Sequence, residues 1–154
     1  MKKCVLPWVL TVVLALISGA LGYRFVAGEV QHREDGRLSI QVSQDEHTML
    51  MQEMRAWLQS SQAIMSAANR QKFAEVSRLA KAAGMSAEEV VPGELFRKIP
   101  LQMKALGFDT RKKFDEIAAD AEKLQDSKHT LEQLGMAMQN CIACHATYRF
   151  ILQP

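Results

Sequence analysis

The chain has no surplus of charge outside its N-terminal segment. Its 19 Lys and Arg side chains stand against 17 Asp and Glu side chains. Removing Lys2, Lys3 and Arg24, which belong to that segment, leaves 16 basic side chains against 17 acidic ones. A nearly neutral chain has no basic field to attract nucleic acid. We therefore interpret the run 111–113, Arg-Lys-Lys, as a solvent-exposed helix face that could dock an acidic partner protein.

Glycine and proline are also scarce, and no segment alternates apolar and polar residues cleanly. The chain has 8 Gly and 4 Pro in 154 residues. Few turn residues and no period-two alternation predict a helical protein without strands. No Ser-His-Asp set and no glycine-rich phosphate loop is recognisable, so we do not expect an enzyme.

The only long apolar run lies at the N-terminus. Residues 5–22 form 18 consecutive apolar, small or weakly polar residues after two lysines. That length exceeds a usual signal-peptide core and just reaches a membrane span. The triplet Ser18-Gly19-Ala20 is a poor signal-peptidase site, so of the two interpretations of residues 1–28, signal peptide or membrane anchor, we favour the anchor. Residues 29–42 are expected to be a tether.

Four helices are predicted after the tether from the spacing of apolar residues. They cover residues 43–68, 70–83, 109–124 and 127–150. Capping boxes should begin the first helix at Ser43 and the fourth near Thr130, and Gly84 should follow the second as its C′ residue. Residues 86–107 contain two prolines and two glycines, so we expect a long connection there with short helical pieces.

The first and fourth helices each carry an apolar stripe at helical spacing. The first stripe contains Leu50, Met51, Met54, Trp57, Leu58, Ile64 and Met65, and the fourth contains Leu131, Leu134, Met138, Cys141, Ile142 and His145. Four such helices with mostly short connections predict an all-α fold, an antiparallel four-helix bundle over residues 43–154, preceded by the N-terminal apolar helix. We expect Trp57 and Phe114 to pack in its core.

Cysteine is rare, and two of the three residues form a motif. Cys141-Ile142-Ala143-Cys144-His145 is C-x-x-C-H, the attachment site for c-type haem. Two thiols at this spacing can each bond to a haem vinyl group, and the adjacent histidine can reach the iron. On a helix, Cys141, Cys144 and His145 share one face. Haem is joined to such motifs outside the cytoplasm, which agrees with an exported chain.

Three other structures could use the same residues: a disulfide, a thioredoxin-like dithiol and a zinc site. A disulfide between Cys141 and Cys144 would close a very small loop and give His145 no role. A thioredoxin-like dithiol usually belongs to a βαβ pattern, which is not recognisable here. Zinc would need a fourth ligand, and the spacing of His129 from His145 fits no recognised zinc site. The remaining cysteine, Cys4, precedes the apolar run and is given no role.

The motif and its continuation resemble a known family. C-x-x-C-H in the last of four helices, followed after two residues by Tyr148 and Arg149, is similar to the C-terminal signature of the class II cytochromes c, the cytochrome c′ group. The resemblance is specific over residues 141–149. Over the rest of 43–150 it extends only to the number and order of helices.

The resemblance implies one covalently attached haem c near one end of the bundle. Cys141 and Cys144 would be the thioether sites and His145 the proximal iron ligand. Tyr148 and Arg149 match the signature, and the resemblance implies that they contact the haem. Dimers are common in the family, so the resemblance is compatible with a homodimer.

The sixth position of the iron decides what such a haem does. In the family it is filled by a methionine of the first helix, or it is open and binds small gases. In an up-down bundle the start of the first helix lies beside the end of the fourth. At 1.5 Å per residue, His145 lies about 8 Å from that end, Met51 about 12 Å into the first helix and Met54 about 16 Å. Met51 is therefore the leading candidate and Met54 the second.

Other residues are weaker candidates for that position. Met65 lies about 33 Å into the helix, too far, and Met49 is rotated about 200° from Met51, which should turn it away from the core. His47 could also ligate the iron. A methionine on an apolar stripe is often only a core residue, which would leave the position open.

Two functions follow from these expectations. The first is a single-haem electron carrier in the bacterial periplasm, anchored to the inner membrane by residues 5–22 and serving a redox partner protein or respiratory complex. The second is a five-coordinate haem protein that binds nitric oxide or carbon monoxide on an apolar face made by Leu50, Met51, Met54 and Leu58. A scaffold in which haem only stabilises the fold is a weaker third.

Overall fold

The computed structural model describes residues 5–87 and 91–153. Its elements, in chain order, are α1 (Val5–Ala27), β1 (Val30–His32), β2 (Leu38–Val42), α2 (Gln44–Asn69), α3 (Phe73–Lys81), a 3₁₀ turn (Met85–Ala87), α4 (Gly93–Lys98), α5 (Leu101–Leu124), α6 (Ser127–Thr147) and β3 (Tyr148–Leu152). The described chain is mostly helical, as predicted. It also contains a three-stranded sheet, so the prediction that no segment forms a strand is wrong.

The N-terminal helix α1 is longer than the predicted apolar run and stands largely outside the rest of the fold. Its residues 7–27 are long and apolar enough to cross a membrane, although a signal sequence would also meet that criterion. Most of its large side chains, from Trp8 to Val26, are exposed. Its C-terminal end contacts α5, and Phe25 also contacts Phe96 of α4.

The sheet is built from the predicted tether and the end of the chain. β1 and β2 pair antiparallel as a hairpin, and β2 pairs with β3 in parallel, with Leu38 opposite Tyr148. Ile40 and Val42 in β2 are fully buried. Residues 29–42, expected as a tether, therefore contain two strands, of which β2 is part of the folded domain. Leu38, Ile40 and Val42 occur at every second position, the period of a strand, although Ser39 between them is buried as well.

The first predicted capping box is confirmed at the start of α2. The Ser43 hydroxyl oxygen accepts the Glu46 amide at 3.2 Å, and the Glu46 carboxylate accepts the Ser43 amide at 2.7 Å. The second is wrong, because α6 is capped by Asp126, whose carboxylate accepts the amides of residues 128 and 129. Thr130 lies one turn further along α6, and its hydroxyl donates to the Asp126 carbonyl.

Several helix ends differ from the prediction. α3 begins three residues late, after Gln71, which has a left-handed φ of 55° that interrupts the helical backbone. α5 begins directly after Pro100, eight residues earlier than expected, and contains Gly107, because one glycine inside a helix is tolerated. α6 ends at Thr147 rather than Phe150, since the chain then enters β3.

The predicted C′ role of Gly84 is also wrong. α3 ends at Lys81 with Ala82 as its C-cap, and Gly84 is not among the residues with positive φ. Gly84 instead packs closely against α5, where a Cβ would overlap the Asp115 carboxylate unless that side chain moved. The Asp115 carboxylate also accepts the Met85 amide at 3.2 Å.

Two buried clusters hold the domain together. In the first, side chains of α2, α3, α5 and α6 meet, among them Ile64, Val76, Phe114, Ile117 and Leu134. α2 contacts α3 and α6, and α5 also contacts α3 and α6. The prediction that Phe114 and Trp57 pack in the core is confirmed, with Trp57 partly buried against this cluster.

The second cluster joins the sheet to the helices near the end of α6. It consists of Ile40, Val42, Leu50, Leu95, Ile99 and Tyr148. Met51 and Cys144 are partly buried against it. The C-x-x-C-H motif therefore lies beside the sheet.

Candidate functional site

A groove of about 810 Å³ runs along the domain beside the motif. Cys141, Cys144 and His145 line it from α6, most of residues 49–61 line it from α2, and several of residues 103–114 line it from α5. This volume lies within the range of cofactor sites, about 300–1,000 Å³. The groove is large enough to be a binding site for an organic cofactor.

The three motif residues share one face of α6, as their spacing predicts. The helix is continuous from 127 to 147, so positions i, i+3 and i+4 point the same way. Cys141 and His145 are exposed and Cys144 is half-buried. The two thiols are not bonded to each other. Both are therefore accessible from the groove for reaction with a group placed there.

The electrostatics of the thiols disfavour a thioredoxin-like dithiol. Burial raises the pKa of Cys141 above its usual value. Burial, and secondarily the neighbouring Cys141, raises the pKa of Cys144. A catalytic dithiol needs a lowered pKa to form the thiolate, and it usually lies at a helix N-terminus. Here the motif lies in the last two turns of a helix, so the geometry and the pKa directions both disagree with that chemistry.

The geometry also disfavours the zinc interpretation. His129, the ligand considered from the sequence, lies 16 residues from His145 on the same helix, about 24 Å away at 1.5 Å per residue. Its Nε2 is 3.1 Å from Oδ2 of Asp120. Within residues 5–87 and 91–153, no group of three or more His, Cys, Asp or Glu side chains could hold a metal ion.

The candidate distal methionines line the same groove as the motif. Met51 and Met54 are both half-buried residues of α2 with access to it. Met51 also packs against the second cluster, as Cys144 does, whereas Met54 does not belong to that set. Met51 and Cys144 thus line the groove and pack against the same cluster. Met65, rejected from the sequence, is not among the lining residues.

Two further methionines line the groove that the sequence did not identify as candidates. Met49 was expected to turn away from the core, but it is half-buried, packs against the second cluster and lines the groove. Met103 of α5 does the same. It was missed because α5 was predicted to begin only at Asp109. His47, the alternative ligand, is not among the residues that line the groove.

Tyr148 and Arg149, which the family resemblance implied as haem contacts, lie in different surroundings. Tyr148 is buried in the second cluster, and its hydroxyl donates to Oε1 of Gln102 at 3.4 Å. Burial, and secondarily the nearby Cys144, raises its pKa. Arg149 is exposed and pairs with Asp35 at 3.0 Å. Neither side chain lines the groove.

Arg111 is the residue whose surroundings were predicted least well. It was expected on a solvent-exposed face, but its side chain is only 8% exposed and lines the groove. It donates to the Glu53 carboxylate and, at 3.1 Å, to the Gly84 carbonyl oxygen. Its guanidinium carbon lies 5.3 Å from the centre of the Trp57 ring. The solvent-exposed interpretation holds for Lys112, which is 72% exposed.

The rim of the groove is apolar and exposed. Leu58 is 67% exposed and Ile142 68%, and Phe108 and Met138 are also exposed. Each of the four lines the groove. Of the predicted stripes on α2 and α6, Ile64 and Leu134 therefore lie in the core, whereas Leu58, Met138 and Ile142 line the groove and are exposed. Exposed apolar side chains beside a groove are typical of a binding site.

The chain matches no family model, no curated protein and no solved structure. The assignment of the groove therefore depends on the chemistry of its residues. A c-type haem fits them: two unpaired thiols and an imidazole share a helix face, thioether sulfurs lie on another wall, and the remaining walls are largely apolar.

Proposed function

We propose that the chain is a single-haem c-type cytochrome that carries electrons in the bacterial periplasm. The observation that supports this most is the meeting of Cys141, Cys144 and His145 with Met51 in one apolar groove. When bound there, a haem supplies a one-electron Fe(III)/Fe(II) couple. The cytochrome c′-like signature at 141–149 supports the same proposal.

Each motif residue has a defined role in it. Cys141 and Cys144 would hold the haem on α6 through two thioether bonds, and the imidazole of His145 would bind the iron. We further propose that α2, α3, α5 and α6 form the four-helix bundle of the cytochrome c′ type around this site. A bundle that is bonded to its haem at three points changes shape little, which suits repeated electron transfer.

Met51 is proposed as the distal ligand. Its place beside the cluster that also contacts Cys144 favours it over Met54. A thioether ligand stabilises reduced iron and raises the reduction potential. Two protein ligands on the iron would leave no position for a gas or a substrate, so the proposed role is electron transfer to a redox partner protein or respiratory complex, without catalysis.

The absorption spectrum of the purified haem protein tests this function. It is recorded oxidised, reduced, and reduced with carbon monoxide. Electron transfer with two protein ligands predicts a low-spin spectrum that carbon monoxide does not change. A high-spin spectrum that shifts promptly with carbon monoxide would contradict it.

Gas binding is the second candidate, and one observation favours it. Leu50, Met51, Met54 and Leu58, the proposed apolar distal face, all line the groove. If Met51 only packs there, these side chains would form a water-poor face beside a five-coordinate iron that takes nitric oxide or carbon monoxide. The carbon monoxide spectrum above distinguishes the two functions.

A further inference from the structure

The apolar helix α1 joins the folded domain without a flexible linker. The helix ends at Ala27, the Gly28 amide donates to the Arg24 carbonyl at 2.9 Å, and the Glu29 amide donates to the Lys98 carbonyl at 2.8 Å. Gly28 has a φ of +68°, and a Cβ there would lie 2.5 Å from the Lys98 carbonyl oxygen. The backbone is therefore in close contact with the domain within two residues of the end of α1.

Side chains strengthen this junction. The Lys104 ammonium of α5 lies 4.2 Å from the centre of the Phe25 ring and 4.4 Å from that of Phe96. It also lies 3.5 Å from the Phe25 carbonyl oxygen. Cation–π contacts of a desolvated lysine are among the stronger ones. The first turns of α5 are thus packed against the last turn of α1.

The same side of α5 carries an exposed apolar stripe, which we define as Leu101, Ala105 and Phe108. Leu101 is 42% exposed and Phe108 39%, and Ala105 is exposed as well. At 100° per residue, Leu101 and Phe108 lie within about 60° of Lys104 around the helix. The α5 stripe therefore lies next to the face that contacts α1.

The sequence of α1 places the bilayer surface close to this junction. Trp8 and Tyr23, 71% and 74% exposed, stand at opposite ends of the helix, about 22 Å apart at 1.5 Å per residue. Aromatic residues at both ends of a span mark the two membrane interfaces, and Arg24 follows Tyr23 directly. Phe25, which contacts Lys104, is then only two residues beyond the interfacial tyrosine.

We propose that the domain of the full chain lies directly on the outer face of the lipid bilayer, with the α5 stripe in contact with lipid. The proposal goes beyond electron transfer and rests on retention of α1 as an anchor. A partner protein could also cover an exposed apolar stripe, but continuity with a membrane-length helix favours the lipid surface. Because Phe108 also lines the groove, this docking would bring one side of the groove to the membrane surface.

Photocrosslinking of the full chain in its own membrane tests the proposal. Benzoylphenylalanine replaces Leu101, Phe108, Lys112 or Leu124, one at a time, and the illuminated chain is examined by mass spectrometry for phospholipid adducts. Leu124 is the matched control, since it is an exposed leucine of the same helix, 55% exposed and about 34 Å from Leu101. Lys112 lies on the same face as Leu101 but about 16 Å further along the helix.

Docking on the bilayer predicts lipid adducts at 101 and 108 at least ten times as frequent as at 124, with an intermediate or low value at 112. Equal adducts at all four positions, or adducts with another protein at 101 and 108, would overturn it. The intact mass also shows whether residues 1–28 are retained, and a cleaved chain would overturn it as well. The haem spectrum is recorded on the samples substituted at 101, 112 and 124, positions that do not line the groove, so failure of the docking and failure of the haem assignment are distinguished.

Discussion

Tyr148 lies opposite Leu38 in the parallel pair of β3 with β2, and it is the first residue after the helix that carries the C-x-x-C-H motif. The strand continues to Leu152, and the Gln153 amide donates to the Val42 carbonyl at 2.9 Å. The end of the motif helix is therefore fixed by a segment more than a hundred residues earlier in the chain. β1, which pairs with that segment, follows α1 after two residues, so the sheet connects the motif to the membrane-length helix.

Replacement of Ile40 should test how much the sheet contributes. Ile40 is fully buried in the second cluster, and Ile40→Ala should lower the free energy of unfolding by about 2–5 kcal/mol because it leaves a cavity. Leu152→Ala is the control, since Leu152 is 49% exposed at the end of β3, and should cost about 1 kcal/mol or less. Denaturant unfolding measures both. Equal losses would show that the sheet does not belong to the core.

The distal ligand can be identified by substitution of single methionines. Met51→Ala should convert a low-spin spectrum to a high-spin one and lower the reduction potential, because the sulfur that stabilises reduced iron is removed. Met65→Ala, on the same helix but outside the groove, should change neither. A low-spin spectrum in the Met51 variant would exclude Met51, and the same substitution at Met54 and Met103 would then identify the ligand.

Arg111→Met should destabilise the domain, although sequence alone suggested an exposed residue. The substitution leaves the Glu53 carboxylate and the Gly84 carbonyl without the guanidinium that donates to them. We expect a loss of about 1–3 kcal/mol, less than the 3–5 of a fully buried pair, because the Glu53 side chain is 33% exposed. The control Lys112→Met should stay within about 0.5 kcal/mol, since Lys112 is 72% exposed. Thermal or denaturant unfolding measures the loss of stability in both variants. Equal losses in the Arg111 and Lys112 variants would contradict a stabilising contact between Arg111 and Glu53.

The two thiols of the haem-free chain should react at different rates with an alkylating reagent. Burial raises the pKa of both, so the folded state lowers the thiolate fraction at pH 8. Cys141 is exposed and Cys144 half-buried, so Cys141 should be alkylated several times faster, as measured by mass spectrometry of peptides. In denaturant the rates should converge. Equal rates without denaturant would show that the helix end is not folded as described.

The same shifts make the stability of the haem-free chain depend on pH. A folded-state pKa above the usual 9.0 means that the folded chain holds its thiol protons more tightly than the unfolded chain. The stabilisation is fully present below the unfolded-state pKa and is lost as pH rises through the folded-state pKa. The unfolding midpoint should therefore fall above about pH 9, and the fall should disappear when both cysteines are replaced by serine.

Local signals in the sequence were sufficient for most of the helices and for the motif. The capping box at Ser43 and the stripe through Ile64 identified α2, and the spacing of Cys141, Cys144 and His145 identified their shared face. Both depend on residues three or four positions apart, which a helix brings together whatever the rest of the chain does.

What could not be predicted depends on contacts between distant segments. β2 is a strand because β3 pairs with it and because the second cluster buries Ile40. Neither of these contacts can be inferred from the five residues of β2 alone. Arg111 is buried because Glu53 and Gly84, on other elements, accept its donors. Pro100 and Gly107 were assigned to a connection before α5, whereas α5 begins directly after Pro100 and contains Gly107.

Haem attachment is the central claim, and denaturing electrophoresis with haem staining, followed by intact mass measurement, tests it most directly. The chain is expressed in the periplasm of a host that matures c-type cytochromes. We expect haem to remain with the denatured chain at one per molecule, and the Cys141→Ser, Cys144→Ser double variant to lose it, with Cys4→Ser as the matched control that keeps it. A wild-type chain that carries no covalent haem under these conditions would contradict the proposal.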